Sequence, residues 1–149
     1  MLVISGGQTG VDQIGLVIAK ELGYKTAGIA PKGYKTEAGN LPQFLKPFGL
    51  IEHNSQEYNP RTEMNVIWAN ITLIFGDVNS PGSVATRAYC KKHKKHYLEN
   101  PTVAILKGIV ANANKVKVLN IAGNRGSKLT AEEANRIRET LREGLKKHD

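Results

Sequence analysis

The spacing of hydrophobic residues changes at a glycine-rich turn near the start of the chain. Leu2 to Ser5 is a β-favouring run, and Gly6 to Gly10 follows it directly. Apolar residues then recur every three or four positions, at Val11, Ile14, Ile18 and Leu22. This pattern predicts a strand, a glycine turn and an amphipathic helix. We expect Gly23 to end that helix and Thr26 to Ala30 to form a second, parallel strand, which completes a β-α-β unit.

The next segment, residues 31 to 49, has no sustained period. It contains three prolines and three glycines, so we expect a long irregular connection. Connections of that length inside a compact domain are uncommon, and most of them are functional.

The remainder of the chain predicts alternating strands and helices. The predicted strands are Leu50 to His53, Ile71 to Phe75, a short one around Tyr97 and Leu98, and Val116 to Ala122. The predicted helices begin at Asn59-Pro60, Ser83, Asn100-Pro101 and Thr130. We expect Thr130 and Glu133 to form a capping box. In the helix that starts at Ser83, the residues expected to face inward are Val84, Ala85, Ala88 and Tyr89.

The length and composition indicate one ordinary domain. The chain has 149 residues, 40% hydrophobic and 23% charged, so residues 1–149 are expected to form a single domain. The longest apolar runs are far shorter than the roughly 18 residues that span a bilayer, and no signal-peptide pattern follows Met1. We therefore expect no membrane partner and a cytoplasmic protein. The single cysteine, Cys90, excludes an internal disulfide.

The net charge of +8 is unevenly distributed. The whole excess of basic residues lies between positions 78 and 128, which is compatible with an anionic partner as well as with simple solubility. The run Lys91 to Lys95 is interpreted first as the solvated, cation-favouring end of a helix, with a binding patch as the alternative. Nucleic acid is disfavoured, because few aromatic residues interleave with the lysines and no zinc-finger or basic-zipper spacing occurs.

Polar residues with binding chemistry follow several predicted strands. In a parallel sheet, ligands bind beyond the carboxyl ends of the strands. Gly6 to Gly10 is predicted to cradle a phosphate with backbone amides at a helix N-terminus, although its spacing is neither G-x-G-x-x-G nor a Walker A loop. A tight structural turn is the alternative. The other loops at this edge contribute Lys32, Ser83 with Thr86, and the segment Gly123 to Lys128, for which a solvated polar loop is the alternative.

A short charged segment, Arg61-Thr62-Glu63, follows the third predicted strand and is expected near the same edge. Charges of both signs suit a polar heterocycle. In the alternative interpretation, Arg61 simply pairs with Glu63 or Asp12.

No metal site and no nucleophilic triad are predicted. The histidines are His53, His93, His96 and His148, and the only metal-like spacing, Cys90 with His93 and His96, lies inside a positively charged run that disfavours a cation. Gly-x-Ser-x-Gly is absent, and Cys90 lacks the context of a catalytic thiol.

Several ordered motifs together resemble a known family. They are Ser5-Gly6-Gly7-Gln8-Thr9-Gly10-Val11-Asp12-Gln13, Pro31-Lys32-Gly33, Tyr58-x-x-Arg61-Thr62-Glu63-x-Asn65-Val66, Thr72-Leu73-Ile74-Phe75 and Leu119-Asn120-x-Ala122-Gly123-x-Arg125-x-Ser127-Lys128. In this order, and over nearly the whole chain, they are similar to the molybdenum cofactor carrier proteins. The chain departs from the family pattern at Ala69-Asn70 and at Asn124 and Gly126.

The resemblance implies a fold, an assembly and a ligand. The fold would be a Rossmann-like three-layer α/β sandwich, related to the lysine-decarboxylase-like and Lonely Guy proteins, with a mainly parallel sheet of about five strands and helices on both faces. The assembly would be a homo-oligomer, a dimer or a tetramer. The ligand would be the molybdenum cofactor, a phosphorylated pterin whose metal arrives with it.

The resemblance also assigns the binding residues. Lys32, Arg61, Arg125 and Lys128 would supply countercharge, while Gln8, Glu63 and Asn65 would contact the pterin edge. The complete predicted set is Gly6, Gly7, Gln8, Thr9, Gly10, Asp12, Lys32, Arg61, Thr62, Glu63, Asn65, Gly82, Ser83, Thr86, Asn124, Arg125, Ser127 and Lys128. No catalytic and no metal-ligating residue is included.

Two other functions compete with cofactor carriage. A sensor of nucleotides or their derivatives would use the same cradle. A phosphoribohydrolase-like enzyme is disfavoured, because Pro-Gly-Gly-x-Gly-Thr-x-x-Glu is absent and residues 78 to 98 contain no acid. Such an enzyme would need Asp12 or Glu63 as its carboxyl group.

Overall fold

The computed structural model describes residues 1–147, so His148 lies outside the described residues. The strands are β1 (Leu2–Ile4), β2 (Lys25–Ala30), β3 (Lys35–Thr36), β4 (Gly39–Asn40), β5 (Leu50–Glu52), β6 (Ile71–Phe75), β7 (His96–Glu99) and β8 (Val118–Gly123). The helices are α1 (Val11–Glu21), α2 (Pro42–Leu45), α3 (Tyr58–Trp68), α4 (Pro81–Lys92), α5 (Val103–Ala111) and α6 (Ala131–Gly144).

Six strands form one parallel sheet in the order β5-β2-β1-β8-β6-β7. The predicted Rossmann-like α/β class is confirmed, with six strands rather than about five. The last strand, β8, lies between β1 and β6, which places the loops after all three strands side by side at one edge.

The two faces of the sheet differ in polarity, because alternate strand residues point to opposite sides. One face carries Val3, Leu73, Leu119 and Ile121, which form the main core with α1, α5 and α6. The other face lies under the packed pair α3 and α4. Here the central strands carry polar residues, and Asn120 of β8 donates to Thr72 of β6 at 3.3 Å.

The segment 31 to 49 is structured rather than irregular. A 3₁₀ turn at Lys32–Tyr34 leads into the β3–β4 hairpin, and α2 continues into a second 3₁₀ turn at Lys46–Phe48. Tyr34 and Leu45 are buried with Leu50 in a small second core. This local burial explains why a segment without periodicity keeps a defined shape.

Helix starts differ slightly from the prediction. Helix α4 begins at Pro81 with Ser80 as its N-cap, so Ser83 lies within its first turn. Helix α3 begins at Tyr58, and α5 has Thr102 as its N-cap. The capping box of Thr130 and Glu133 is confirmed.

The predicted inward face of α4 is wrong. Its buried residues are Ser83, Thr86 and Cys90, whereas Val84 is 44% exposed. The helix turns its small polar side toward the sheet because the sheet surface beneath it is itself polar. No helix among residues 1–147 is both long enough and apolar enough to cross a membrane.

Candidate functional site

A polar cavity of about 490 Å³ lies at the carboxyl edge of the sheet, between α3 and the start of α4. Its floor includes Asn120 and Ala122 of β8, and its rim comes from the loops after β1, β6 and β8. The lining contains three cations, Arg61, Arg125 and Lys128, and two carboxylates, Asp12 and Asp77. Its volume falls in the range of small-molecule binding sites.

The glycine loop and the last loop meet at this edge, as the prediction required. Val11 donates its amide to the Asn124 carbonyl at 3.0 Å, and Gly126 donates its amide to the Thr9 hydroxyl at 3.0 Å. Gly10 has φ of +81°, and a Cβ on it would contact the backbone of Asn124. The close approach of the two loops therefore requires glycine at position 10.

The predicted residues divide into those that line the cavity and those that do not. The lining residues are Gly6, Gln8, Asp12, Arg61, Thr62, Asn65, Gly82, Thr86, Asn124, Arg125 and Lys128. The residues placed elsewhere are Gly7, Thr9, Gly10, Lys32, Glu63, Ser83 and Ser127.

Arg61 and Asp12 form a buried pair in the cavity wall. Arg61 Nη1 lies 3.4 Å from Asp12 Oδ2, and the two side chains are 10% and 6% exposed. The guanidinium crosses the backbone at Gly6, where any Cβ would overlap it. Its Nε is buried and has no hydrogen-bond partner among the described residues. The guanidinium therefore has one buried donor, Nε–H, that the described residues leave unpaired.

Burial shifts the pKa of both members of the pair. Burial raises the pKa of Asp12 to about 6, against the opposing effects of Arg61 and the Gln8 amide. Burial also lowers the pKa of Arg61, with Asp12 opposing. An arginine stays protonated in proteins, so the cavity wall keeps one fixed positive charge beside a carboxyl group that titrates near neutral pH.

Three amides of the glycine loop are already used by the protein. Gly7 donates to the Ser5 hydroxyl at 3.3 Å, Gln8 to Asp12 Oδ2 at 3.1 Å and Thr9 to Gln8 Oε1 at 3.0 Å. The carboxylate of Asp12 thus occupies the position at which a phosphate was expected. A ligand anion must therefore find its donors elsewhere in the cavity.

The start of α4 offers such a position. Ser80, Pro81 and Gly82 line the cavity at the first turn of this helix, where the helix dipole favours an anion. Asn124 holds this turn in place, because it accepts from the Asp77 amide at 2.6 Å and donates to Ser80 Oγ at 2.8 Å.

Glu37, which the sequence did not single out, connects the β3–β4 hairpin to the cavity loops. Thr9 donates its hydroxyl to Glu37 Oε2, and Ser127 donates its amide to the same oxygen at 3.0 Å. Arg125 Nε lies 3.9 Å from Oε1, and the amide of Glu37 donates to Gln8 Oε1 at 2.9 Å. Partial burial opposes ionisation, but the bonds from Ser127 and Thr9, with Arg125, lower the pKa of Glu37 to about 2.

Three of the predicted residues, Glu63, Lys32 and Ser83, do not line the cavity. Glu63 binds Lys92 Nζ at 2.9 Å and His93 Nε2 at 2.7 Å, because its side of α3 meets the end of α4. Lys32 is exposed, and its amide donates to the Ser55 carbonyl at 2.8 Å. Ser83 is 1% exposed, and its hydroxyl has no partner among the described residues. The geometry also shows that Arg61 pairs with Asp12 rather than Glu63.

The cavity is also lined by residues outside the predicted set, namely Asp77, Asn79, Ser80, Pro81, Asn120, Ala122 and Gly123. The motif that included Asn120 was noticed in the sequence, but nothing in a sequence shows which face of a strand borders a cavity. Within residues 1–147, no three histidine, cysteine, aspartate or glutamate side chains cluster as metal ligands would. Cys90 is a buried free thiol whose pKa is raised by that burial.

The fold and cavity together define a Rossmann-like α/β protein with a polar small-molecule site at the carboxyl edge of its parallel sheet. The model of the circularly permutated YpsA SLOG family (cpYpsA) matches residues 3–146, and the chain belongs to that family. A similar solved structure is that of the "putative molybdenum carrier protein" from Syntrophus aciditrophicus SB. The two chains are 28% identical, with a TM-score of 0.82 over 97% of this chain and 94% of that one. No curated protein matches the chain.

Proposed function

We propose that the protein binds the molybdenum cofactor, or a similar phosphorylated heterocycle, in the cavity at the carboxyl edge and does not transform it. The observation that carries this proposal is the buried, incompletely satisfied guanidinium of Arg61 in the cavity wall. An arginine of this kind recognises phosphate through parallel hydrogen bonds. Its burial removes competing water, which strengthens the interaction.

In the proposed complex, the phosphate lies between Arg61 and the first turn of α4. Lys128 and Arg125 supply further positive charge at the rim. The heterocycle then faces the Asn120 side chain on the floor and the carboxyl groups of Asp12 and Asp77 beside it. This arrangement differs from the glycine cradle expected from sequence, because the amides of that loop already bond to Ser5, Asp12 and Gln8.

The comparisons support a binding role. The similar structure from Syntrophus aciditrophicus carries the name of a molybdenum carrier, and the motifs listed from the sequence resemble the same family. The molybdenum cofactor carries a phosphate group and a polar heterocycle, and these are the features that the cavity can contact. Cytoplasmic location stays a prediction.

A nucleotide sensor remains the second candidate, favoured by the size of the cavity, which also suits a mononucleotide. Hydrolysis of a glycosidic bond would require a positioned carboxyl group. Glu63 is bound to Lys92 and His93 outside the cavity, and Asp12 Oδ2 accepts from Gln8 and Arg61. These contacts disfavour the enzyme.

The test is a titration of the purified protein with the molybdenum cofactor and with a panel of nucleoside monophosphates. Arg61→Ala is expected to weaken binding by about ten-fold or more, because it removes a charge-assisted phosphate contact. Lys32→Ala is the matched control and is expected to bind like the wild type, since Lys32 lies outside the cavity.

Equal binding by Arg61→Ala and the wild type would exclude the proposed phosphate site. Saturable binding of a nucleotide but not of the cofactor would favour the sensor. Release of a free base from a nucleoside monophosphate would show that the protein is an enzyme.

A further inference from the structure

The cavity contains three buried asparagines, and they differ in how their amide groups are used. Asn65 accepts from the Ile29 amide at 3.0 Å and donates to the Ile29 carbonyl at 2.9 Å. Asn124 likewise uses both ends of its amide, on Asp77 and Ser80. Both side chains are therefore committed to holding the protein together.

The side-chain amide of Asn120 uses only its nitrogen in a hydrogen bond with the described part of the protein. It is 3% exposed, and its Nδ2 donates to Thr72 Oγ1 at 3.3 Å. Its Oδ1 accepts no hydrogen bond from the described residues, and the residue lines the cavity floor. This oxygen is not fully buried; it is open to the cavity, where an occupant that displaces water can donate a hydrogen bond to it.

The orientation of the Asn120 amide follows from its neighbours. Thr72 is 1% exposed and lies beneath the fully buried Cys90 of α4. Burial raises the pKa of the Cys90 thiol, and the neighbouring Thr72 hydroxyl opposes that shift. A hydroxyl oxygen can accept hydrogen bonds, and Thr72 Oγ1 accepts from Asn120 Nδ2. The Asn120 nitrogen thus points to Thr72, and its oxygen is left for the ligand.

We propose that Asn120 is a specificity-determining residue that accepts a hydrogen bond from an N–H group on the ligand's heterocycle, with Thr72 as its positioning residue. The ligand class is a phosphorylated heterocycle with donors on its ring edge, such as the amino-lactam edge that pterins and guanine share. A heterocycle whose ring edge carries only hydrogen-bond acceptors is rejected, because it leaves Asn120 Oδ1 without a donor. This inference rests on the proposed function, since it concerns the same cavity.

The test compares two ligands that share ribose and phosphate. Guanosine 5′-monophosphate carries ring N–H and amino donors, whereas purine riboside 5′-monophosphate has none on its six-membered ring. The wild type is expected to prefer the guanine nucleotide by about ten-fold or more. Asn120→Leu, which is nearly isosteric, is expected to reduce that preference to about two-fold or less.

Variants at Thr72 test whether its hydroxyl positions the Asn120 side chain or contributes only to the stability of the fold. Thr72→Val removes the acceptor that orients the amide and is expected to lower the preference, whereas Thr72→Ser keeps the hydroxyl and is expected to retain it. Asn135→Leu, an exposed site on α6, is the control for loss of an asparagine elsewhere. Thermal unfolding of each variant checks that the fold is intact.

The outcomes distinguish this inference from the proposed function. If a folded Asn120→Leu protein keeps the wild-type preference, or if the wild type binds both nucleotides equally, the inference is wrong while the binding function stands. If neither nucleotide binds, molybdopterin is titrated instead, and Asn120→Leu is expected to weaken its binding about ten-fold. An unchanged affinity overturns the inference, and a wild type that binds none of these ligands overturns both proposals.

Discussion

At the scale of single residues, the pair of Asp12 and Arg61 combines a fixed charge with a titratable one. The pKa of Asp12 is raised by burial to about 6 even though Arg61 opposes the shift. Arg61→Gln removes that opposing charge and is therefore expected to move the pKa of Asp12 higher still. Carboxyl ¹³C NMR of Asp12 over pH 4 to 8 measures both values. A pKa near 4 in the wild type would contradict the burial seen here.

The same pKa predicts a pH dependence of stability. A carboxyl group whose pKa is higher in the folded state stabilises the fold below its unfolded pKa, and this contribution is lost as the pH rises through the folded value. For Asp12 the loss falls between about pH 4 and 6 and is on the order of 2 kcal/mol. Urea unfolding at pH 4.5 and 7 is expected to show this difference in the wild type and not in Asp12→Asn. Identical pH profiles of stability for the wild type and Asp12→Asn would contradict this prediction.

Residue spacing predicted some of the site and could not predict the rest. Arg61, Asp12 and Gln8 were identified because each lies in a dense polar motif near a strand end. Glu37 was missed because its partners Thr9 and Ser127 are 28 and 90 positions away. Only the folded chain brings such distant groups together.

At the scale of elements, the β3–β4 hairpin depends on Glu37 for its attachment to the cavity loops. The pKa of Glu37 is lowered to about 2, so its contribution to stability is present above its ordinary value of 4.5 and is lost as the pH falls toward 2. Glu37→Gln is expected to loosen the hairpin at neutral pH, because the charge that attracts three donors is gone. Hydrogen exchange of residues 35–40 and 124–128 is expected to accelerate together.

The control for this prediction is Glu52→Gln, since Glu52 of β5 accepts from the Gly33 amide at 3.1 Å and bonds to none of the cavity loops within residues 1–147. If hydrogen exchange in Glu37→Gln accelerates in the hairpin but not in residues 124–128, Glu37 does not connect the hairpin to that loop.

Elements with a strong hydrophobic period were predicted well, and those on the polar face were not. Helices α1 and α6 show a single apolar stripe, and both pack as expected against the main core. The predicted orientation of α4 was wrong, because its apolar residues Val84 and Ala88 lie on the solvent side. A hydrophobic pattern predicts which face of a helix packs on an apolar core. It could not predict the orientation of α4, because polar side chains lie between this helix and the sheet.

At the scale of the whole molecule, apolar residues are exposed on the α3–α4 side. Met64, Ile67 and Trp68 of α3 are 44%, 42% and 39% exposed, and Val84 of α4 is 44% exposed. The homo-oligomer expected from the family resemblance stays a prediction, and these residues are where we expect the copies to meet. Ile67→Lys is expected to lower the mass measured by sedimentation equilibrium.

The control is Ile105→Lys, a comparably exposed isoleucine on α5 at the opposite face of the sheet. A wild-type protein that sediments as a monomer would contradict the prediction, as would an equal loss of mass in the control variant.

The central position of β8 also affects how the protein is made. The ribosome makes the other five strands of the sheet before β8, yet β8 pairs with both β1 and β6. Until β8 emerges, the nascent chain has two partial sheets with a missing strand between them, and their inner edges are open to wrong partners. Correct assembly of the sheet therefore waits for β8, and a chain cut before residue 118 would lack the strand that joins its halves.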